Sequence, residues 1–284
     1  MSALSRFNKA YVEITNICNL RCSFCHGTKR APRRMSAEEF STVCEKLRGY
    51  TQYIYFHLLG EPLLHPELAD MLGIAAGMGF KCCITTNGFL IGKCADTLIN
   101  AERLYKLSVS LHSFEANETK ASLRDYLEDV WAVCEKLSEK GTVCALRLWN
   151  DGGKNALNDE ILAFLREKTG TSDWTETRRG SRHLVGNINL ENAAKFDWPD
   201  INAPEYEVQF CRGLRDQIAV LCDGTVVPCC LDAEGEIALG NIFTDELGDI
   251  LSTPRAKALY DGFSNRKPAE ELCRKCGYAT RFNK

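Results

Sequence analysis

The chain has 284 residues, of which 45% are hydrophobic and 26% charged, and its formal net charge is -3. This composition is typical of a globular protein with room for one large domain and an appendage. The slight negative charge argues against general nucleic-acid binding, which needs a basic surface. The first residues lack the apolar core of an export signal, and no apolar run is long enough to span a bilayer. We therefore expect a cytoplasmic protein that makes no membrane contact.

Segments with strand and helix character alternate through the first two thirds of the chain. Aromatic and β-branched runs favour strands, whereas Ser36 with Glu39 and Ser122 with Asp125 are capping pairs that favour helix starts. In chain order, the predicted strands cover residues 11–15, 53–58, 81–85, 104–111, 143–149 and 184–190. The predicted helices cover residues 36–48, a segment that opens at His65-Pro66, residues 122–140 and residues 157–168.

This alternation indicates parallel strands that are joined by right-handed crossovers. Five or six units are too few for a closed eightfold barrel, so the pattern predicts an α/β fold with an open partial barrel. After Pro199 the pattern changes: residues 217–228 predict a β-hairpin turned at Asp223-Gly224, and short helices follow. We expect two domains, a partial barrel over residues 1–200 and a small hairpin-plus-helix domain over residues 201–284.

The chain contains fifteen cysteines, far more than a typical cytosolic enzyme needs. A secreted disulfide scaffold fits poorly, because the count is odd, the chain is large and no export signal is visible. Clustered cysteines in a reducing compartment more often bind metal. Six cysteines in predicted helices and strands are interpreted as packing residues: Cys44, Cys82, Cys83, Cys94, Cys134 and Cys144.

Cys18, Cys22 and Cys25 form one short loop with the spacing C-x3-C-x2-C, directly after the first predicted strand. The carboxyl ends of parallel strands are where α/β folds gather their chemistry. Three thiolates would leave one iron of a four-iron cluster open to bind and cleave a small molecule. The alternative is a zinc site in which His26 supplies the fourth ligand.

The segment from Ile14 to Cys25 resembles the signature of the radical S-adenosylmethionine (radical SAM) enzymes. Three further motifs of that family follow in the expected order: Gly60-Glu61-Pro62, Thr86-Asn87-Gly88 and Ser108-Val109-Ser110. The resemblance covers roughly residues 10–150 and implies a partial (β/α)6 radical SAM barrel. Two positions depart from the family pattern: Leu59 replaces a glycine, and His112-Ser113 stands where Asp-Gly is common. These departures concern the ribose contacts and the substrate pocket.

The resemblance implies that Cys18, Cys22 and Cys25 hold a 4Fe-4S cluster whose open iron binds SAM. Reductive cleavage of SAM would then yield a 5'-deoxyadenosyl radical that abstracts hydrogen from a substrate. An external electron donor such as flavodoxin or ferredoxin is implied as partner. The cofactor-binding positions carried over from the family are Phe24, Gly60, Glu61, Pro62, Asn87, Ser108, Ser110 and Arg147.

A second cysteine set follows later in the chain. Its members flank the predicted hairpin and end in a C-x2-C pair: Cys211, Cys229, Cys273 and Cys276. This arrangement resembles the short "twitch" form of the SPASM extension of radical SAM enzymes, which implies one auxiliary 4Fe-4S cluster closed by four thiolates. A structural zinc ribbon with the same four ligands is the alternative. Cys222 and Cys230 lie outside this pattern. Each is interpreted either as a substitute ligand or as a packing residue.

Strand parity suggests which side chains face a substrate pocket, because alternate residues point to the same side. If Glu61 faces the pocket, His57 does too. The candidate catalytic residues are Glu13, His57, His112 and Arg147. Trp149 shares the face of Arg147, and this pair could grip a flat or anionic ligand.

The leading functional hypothesis is a radical SAM enzyme with a small-molecule substrate. Residues 111–117 and 146–150 are similar to a subgroup that includes queuine lyase, which converts queuine to preQ1 during queuosine salvage. One alternative is a peptide-modifying SPASM maturase, and another is an aminocyclitol-type radical dehydrogenase. A zinc-binding interaction module without catalysis is the alternative from a different functional class.

Overall fold

The computed structural model describes residues 7–117, 119–178 and 180–283. The strands are Lys9–Val12 (β1), Tyr53–Tyr55 (β2), Lys81–Thr86 (β3), Leu104–Ser110 (β4), Val143–Asp151 (β5), Arg182–Val185 (β6), Ile188–Ala194 (β7), Gln217–Val220 (β8), Thr225–Val227 (β9) and Gly240–Asn241 (β10). The helices are Ala37–Leu47 (α1), Leu68–Gly77 (α2), Ala95–Ile99 (α3), Leu123–Glu139 (α4), Asn158–Thr169 (α5), Leu247–Ser252 (α6), Pro254–Ser264 (α7) and Glu271–Arg274 (α8).

The strands form one sheet in the order β10-β9-β8-β1-β2-β3-β4-β5-β7-β6. The pairings from β8 through β1 to β5 and on to β7 are parallel, whereas β9, β10 and β6 add antiparallel edges. Helices connect the first six parallel strands in chain order. The predicted α/β class, with a partial barrel and a small C-terminal hairpin-plus-helix region, is confirmed.

Several local predictions are confirmed by their hydrogen bonds. Helix α1 starts with a full capping box, in which the Ser36 hydroxyl and the Glu39 carboxylate each accept from the other's backbone N–H. The Ser122 hydroxyl caps α4, and Gly170 closes α5 in the left-handed conformation. Strands β8 and β9 form the predicted hairpin, with Gly224 at φ 84° in its turn.

Two strand predictions need correction. The first strand covers residues 9–12 rather than 11–15, because the chain leaves β2 after Val12 and Ile14 instead accepts a hydrogen bond from Met35 N at 2.8 Å. The single strand expected over residues 184–190 is a hairpin, β6 and β7, which turns at Gly186 with φ 52°. A glycine that adopts a positive φ permits this reversal inside an otherwise strand-like sequence.

The core lies between the sheet and its helices and contains many fully buried side chains, with Phe40, Phe56 and Ile84 among them. Each such side chain contributes about 1.5–3 kcal/mol through removal from water. The six cysteines interpreted as packing residues are all buried or half-buried here. In the described part of the chain, no helix has the length and apolar character that crossing a membrane requires.

Candidate active site

The loop with the first three cysteines leaves the carboxyl end of the first strand and returns to α1. Cys18 and Cys25 are exposed, and Cys22 is half-buried. Backbone amides point at the sulfurs: Leu20 N lies 3.5 Å from Cys18 Sγ, and Gly27 N lies 3.4 Å from Cys25 Sγ. N–H groups directed at sulfur stabilise negative charge there, which suits thiolate ligands of an iron–sulfur cluster.

Two asparagine side chains reach the same loop from the segments that follow β3 and β4. Asn117 Nδ2 lies 3.2 Å from Cys22 Sγ and also donates to the Ser113 carbonyl at 2.7 Å. Asn87 Nδ2 lies 3.9 Å from Cys18 Sγ. Sequence reasoning singled out Asn87 through the family motif but assigned no role to Asn117. The approach of Asn117 depends on folding of the segment after β4, which no local pattern encodes.

Burial acts on these thiols against ionisation. It raises the pKa of Cys22 to about 11 and also raises the pKa of Cys18. Thiols in such a setting stay protonated unless a cation compensates the charge. The donor set of three thiols with N–H donors around them therefore fits an iron–sulfur core that carries its own positive charge.

Gly60 brings the next motif against the start of the cysteine loop. Its φ is 74°, and a Cβ at this position would lie 2.2 Å from the Thr15 carbonyl oxygen. The following amide, Glu61 N, donates to the Ile17 carbonyl at 2.9 Å. Only glycine combines this backbone conformation with so close an approach.

The Glu61 carboxylate is buried and already binds two backbone amides. It accepts from Leu63 N at 3.0 Å and from Asn87 N at 2.8 Å, and Pro62 opens the short 3-10 turn that follows. Burial raises the pKa of Glu61, although the two N–H bonds oppose that rise. The carboxylate therefore links the second and third strands at their carboxyl ends.

A cavity of about 510 Å³ opens beside this motif and reaches the C-terminal region. Five of the residues predicted for the site line it: Phe24, His57, Ser110, His112 and Arg147. Aromatic side chains form much of its wall, including Tyr11, Tyr55, Trp149, Phe196, Trp198 and Tyr278. A space of this size with apolar walls and a few polar groups is typical of a small-molecule site.

His112 is held in one orientation within the wall. Its ring centroid lies 4.7 Å from that of Phe24, and its Nδ1 lies 3.0 Å from the Arg147 carbonyl oxygen. Trp149 N also lies 3.4 Å from Nδ1, so two backbone groups of β5 hold the ring in place. Burial lowers the pKa of His112, so the ring is neutral near pH 7.

Arg147 belongs to a charged group that spans three strands, β4, β5 and β7. Its Nε donates to Glu191 at 3.1 Å, Lys106 Nζ donates to the same carboxylate at 2.7 Å, and its guanidinium lies 4.5 Å from the Trp149 ring centroid. Burial alone would raise the pKa of Glu191, yet Arg147 and Lys106 hold it below its ordinary value. Sequence reasoning missed Glu191, because the predicted sixth strand ended one residue before it.

The remaining predicted positions lie away from the cavity lining. Ser108 is fully buried, and its hydroxyl makes no hydrogen bond within the described ranges. Glu13 is also fully buried; it pairs with Arg30 at 2.7 Å and accepts from Cys222 N at 3.1 Å. Through these two interactions, Glu13 connects the segment after the cysteine loop to the C-terminal hairpin.

Replacing Arg30 with methionine is expected to reduce the free energy of unfolding by about 3 kcal/mol, because the buried Glu13 loses its cationic partner. Denaturant unfolding measured under anaerobic conditions would check this. Arg124→Met is the matched control, since Arg124 pairs with Glu167 on the exposed surface and should give little measurable change. Similar losses in both variants would contradict the assignment.

The second cysteine set surrounds its own small cavity of about 30 Å³. Cys211, Cys229, Cys273 and Cys276 all line it. Burial, followed by repulsion from neighbouring thiols, raises the pKa of Cys229 and of Cys273 well above the ordinary value. Across the described residues, no three Cys, His, Asp or Glu side chains stand close enough to hold a single metal ion. Ligands of a four-iron cluster bind separate irons and do not need that closeness.

The two cysteines outside the pattern lie elsewhere. Cys222 is buried, with its sulfur 3.7 Å from Arg30 Nη1. Cys230 faces the larger cavity beside Leu231. The larger cavity therefore lies between the first cysteine loop, represented by Phe24, and the second cysteine set.

Residues 12–167, more than half of the chain, match the model of the radical SAM superfamily. The chain belongs to this superfamily. Residues 211–277 match the SPASM iron–sulfur cluster-binding domain. The protein is therefore a radical SAM enzyme that uses SAM, a 4Fe-4S cluster and an auxiliary iron–sulfur cluster. The match to an iron–sulfur domain leaves the zinc alternatives without support.

Two curated proteins and one solved structure show how this chain compares with individual proteins. This radical SAM enzyme is 31% identical over 169 residues to GTP 3',8-cyclase of Chlorobaculum tepidum, a match that covers 58% of the chain and 50% of that protein. It is 24% identical over 272 residues to the sporulation killing factor maturation protein SkfB of Bacillus subtilis. That match covers 86% of this chain and 64% of SkfB. Against the structure of BtrN in complex with AdoMet and 2-DOIA, the TM-score is 0.61 at 19% identity, covering 95% and 92%. The chain spans half or less of the length of the first curated relatives it matches.

Proposed function

We propose that Cys18, Cys22 and Cys25 bind the 4Fe-4S cluster and that SAM binds beside it, along the carboxyl ends of β1 to β5. The support is the convergence of the family motifs on this edge, where Gly60 allows close approach of the loop. The residues proposed to contact SAM are Phe24, Gly60, Glu61, Pro62, Asn87, Ser108, Ser110 and Arg147. When bound, the cluster and SAM together supply a 5'-deoxyadenosyl radical that abstracts hydrogen from a substrate carbon.

The chain's own residues would orient and shield this chemistry. Phe24 and His112 form one wall with their rings tilted by 44°, and Arg147, whose Nε binds Glu191, has further guanidinium N–H groups that can donate to an anionic group. Glu61 retains acceptor capacity beyond its two amide bonds and suits the methionine ammonium. Aromatic walls around the cavity would limit the access of water.

The four-cysteine cavity is the proposed site of one auxiliary 4Fe-4S cluster, within a C-terminal domain that begins near residue 201. Four thiolates would leave this cluster closed to substrate, so its role would be to accept or relay an electron. Flavodoxin or ferredoxin is the proposed external donor, and a cytoplasmic location supplies both. The support for the ligand set is that all four cysteines line the same cavity.

The proposal of a small-molecule substrate is supported by the 510 Å³ cavity with aromatic walls between the two cysteine regions. Its size suits a small, flat molecule. We propose queuine, cleaved to preQ1, as the first candidate substrate. Its ring would stack on the aromatic wall, for which Trp149 with Arg147 provides one surface.

Anaerobically reconstituted enzyme, supplied with SAM, a reductant and queuine, is expected to release preQ1 together with 5'-deoxyadenosine. Liquid chromatography with mass detection would measure both products. Enzyme that releases 5'-deoxyadenosine but no preQ1 would reject queuine while leaving the radical SAM assignment intact. A preparation that forms neither product despite a full iron–sulfur content would reject both.

A peptide-modifying maturase is the second candidate, because the match to SkfB covers 86% of the chain. A precursor peptide whose mass changes on incubation would support it. An aminocyclitol-type dehydrogenase is the third, because the fold match to BtrN spans nearly the whole of both chains. Loss of two hydrogens from an intact carbon skeleton would distinguish this reaction from a lyase.

A further inference from the structure

The ammonium group of Lys9 lines the proposed substrate cavity, and no carboxylate of the described residues pairs with it. Its Nζ lies 5.1 Å from the Tyr11 ring centroid and 5.4 Å from that of Tyr55, and it lines the cavity. No hydrogen bond or ion pair joins Lys9 Nζ to any side chain in the described ranges. Burial lowers the pKa of Lys9, because the half-buried ammonium has lost part of its hydration and no carboxylate of the described residues pairs with it. A ligand oxygen in the cavity would replace the lost water and supply the missing acceptor.

His57 is the second unsatisfied group, and it shares both tyrosine neighbours with Lys9. Its ring lies 5.5 Å from Tyr11 and 6.1 Å from Tyr55, centroid to centroid. Its Nδ1 is buried without a hydrogen-bond partner among the described residues. Burial lowers the pKa of His57 to about 3, so the ring is neutral and can donate or accept one hydrogen bond to a ligand.

The cations around the cavity are otherwise paired or exposed. Arg147 binds Glu191, and Arg212 binds Asp216. Among the described residues no carboxylate lines the cavity, so Lys9 is left to face it without a partner. The Tyr11 and Tyr55 hydroxyls interact with the thiols of Cys230 and Cys83. Lys9 Nζ and His57 Nδ1 each lie beside both tyrosines, and the described residues leave both atoms without a hydrogen-bond partner.

We propose that Lys9 and His57 form an oxygen-recognition subsite, which takes a carboxylate or ring-lactam oxygen of a flat substrate stacked on the aromatic walls. Lys9 would donate to that oxygen, and the neutral His57 would complete its orientation. This subsite rests on the proposed function, because it assumes that the substrate occupies the same cavity. It extends that function by naming the group through which the substrate is recognised.

The test uses three probes that share one ring: 7-deazaguanines that carry a carboxylate, a nitrile or an aminomethyl group at C7. Their dissociation constants would be measured by anaerobic calorimetry on the SAM-loaded holoenzyme. Lys9→Met is expected to weaken binding roughly 10- to 100-fold, as loss of a charge-assisted hydrogen bond would. Loss confined to the carboxylate probe would identify an anionic oxygen, whereas equal loss for all three would identify the lactam oxygen.

Lys81→Met is a matched control. Lys81 also lies over two tyrosine rings, 5.0 Å from Tyr53 and 5.2 Å from Tyr105, but outside the cavity. The Lys81→Met substitution removes a similar cation–aromatic contact and should leave the dissociation constants of all three probes unchanged. His57→Leu provides an independent second variant, so that a folding defect in Lys9→Met does not leave the subsite untested.

Unchanged binding of all three probes in Lys9→Met and His57→Leu would overturn the subsite. Failure of all three probes to bind the wild-type holoenzyme at millimolar concentration would overturn it too. Neither result touches the radical SAM assignment, which depends on 5'-deoxyadenosine release. Failure of the proposed function is thereby distinguishable from failure of the subsite.

Discussion

Cys22→Ala is expected to abolish SAM cleavage, with 5'-deoxyadenosine formation below about 0.1% of the wild-type rate. The three-cysteine loop has no surplus ligand, and Asn117 is aimed at the sulfur that would be lost. Anaerobic reconstitution should then load only the auxiliary cluster, so iron content would fall from about eight to about four per chain. Iron and sulfide analysis, with product detection by mass spectrometry, would measure both effects.

Cys44→Ala is the control for general loss of a thiol. Cys44 is fully buried in α1 and has no place in either cysteine set. Its replacement should cost about 1 kcal/mol of unfolding free energy and leave iron content unchanged. A Cys22→Ala protein that retains full iron and cleaves SAM would refute the ligand assignment.

Gly60→Ala is expected to reduce the free energy of unfolding by about 4 kcal/mol, because a backbone clash adds to conformational strain. The added Cβ would lie 2.2 Å from the Thr15 carbonyl oxygen, and Thr15 precedes the cysteine loop. Since backbone atoms cannot rotate away as a side chain can, the loop itself must shift. We also expect weaker SAM binding, measured by calorimetry, beside the loss of stability measured by denaturant unfolding.

Gly49→Ala separates the clash from the strain. Gly49 has a similar φ of 80°, but nothing lies within 4 Å of the Cβ it would gain. This variant should cost only about 1 kcal/mol, the cost of a left-handed alanine. Equal costs at the two glycines would show that the close approach to Thr15 is relieved without consequence.

Local chemistry explains which parts of the fold were predictable. The capping box at Ser36, the cap at Ser122 and the hairpin turn at Gly224 are each encoded by a few adjacent residues, and all three are confirmed. The order of the family motifs along the chain likewise predicts a site at the carboxyl ends of the strands, where Glu61 and Asn87 lie beside the cysteine loop. These local conformations are kept in the folded protein because no distant contact favours a different one.

Distant contacts explain what sequence reasoning missed. The parallel pairing of β8 with β1, in which Lys9 aligns with Gln217, has no local signature. Asn117 and Glu191 reach the site only through tertiary packing. Lys9 resembles an ordinary solvated lysine at a strand start, and its confinement between two tyrosines becomes visible only when β1 and β2 pair.

The seam between β1 and β8 has a consequence for biosynthesis. Lys9 and Gln217 both border the cavity, and they are separated by about 200 residues of chain. A ribosome must therefore release most of the polypeptide before one side of the cavity exists, while β1 waits with an open edge. The cavity can therefore hold a substrate only after β8 has been synthesised and has paired with β1.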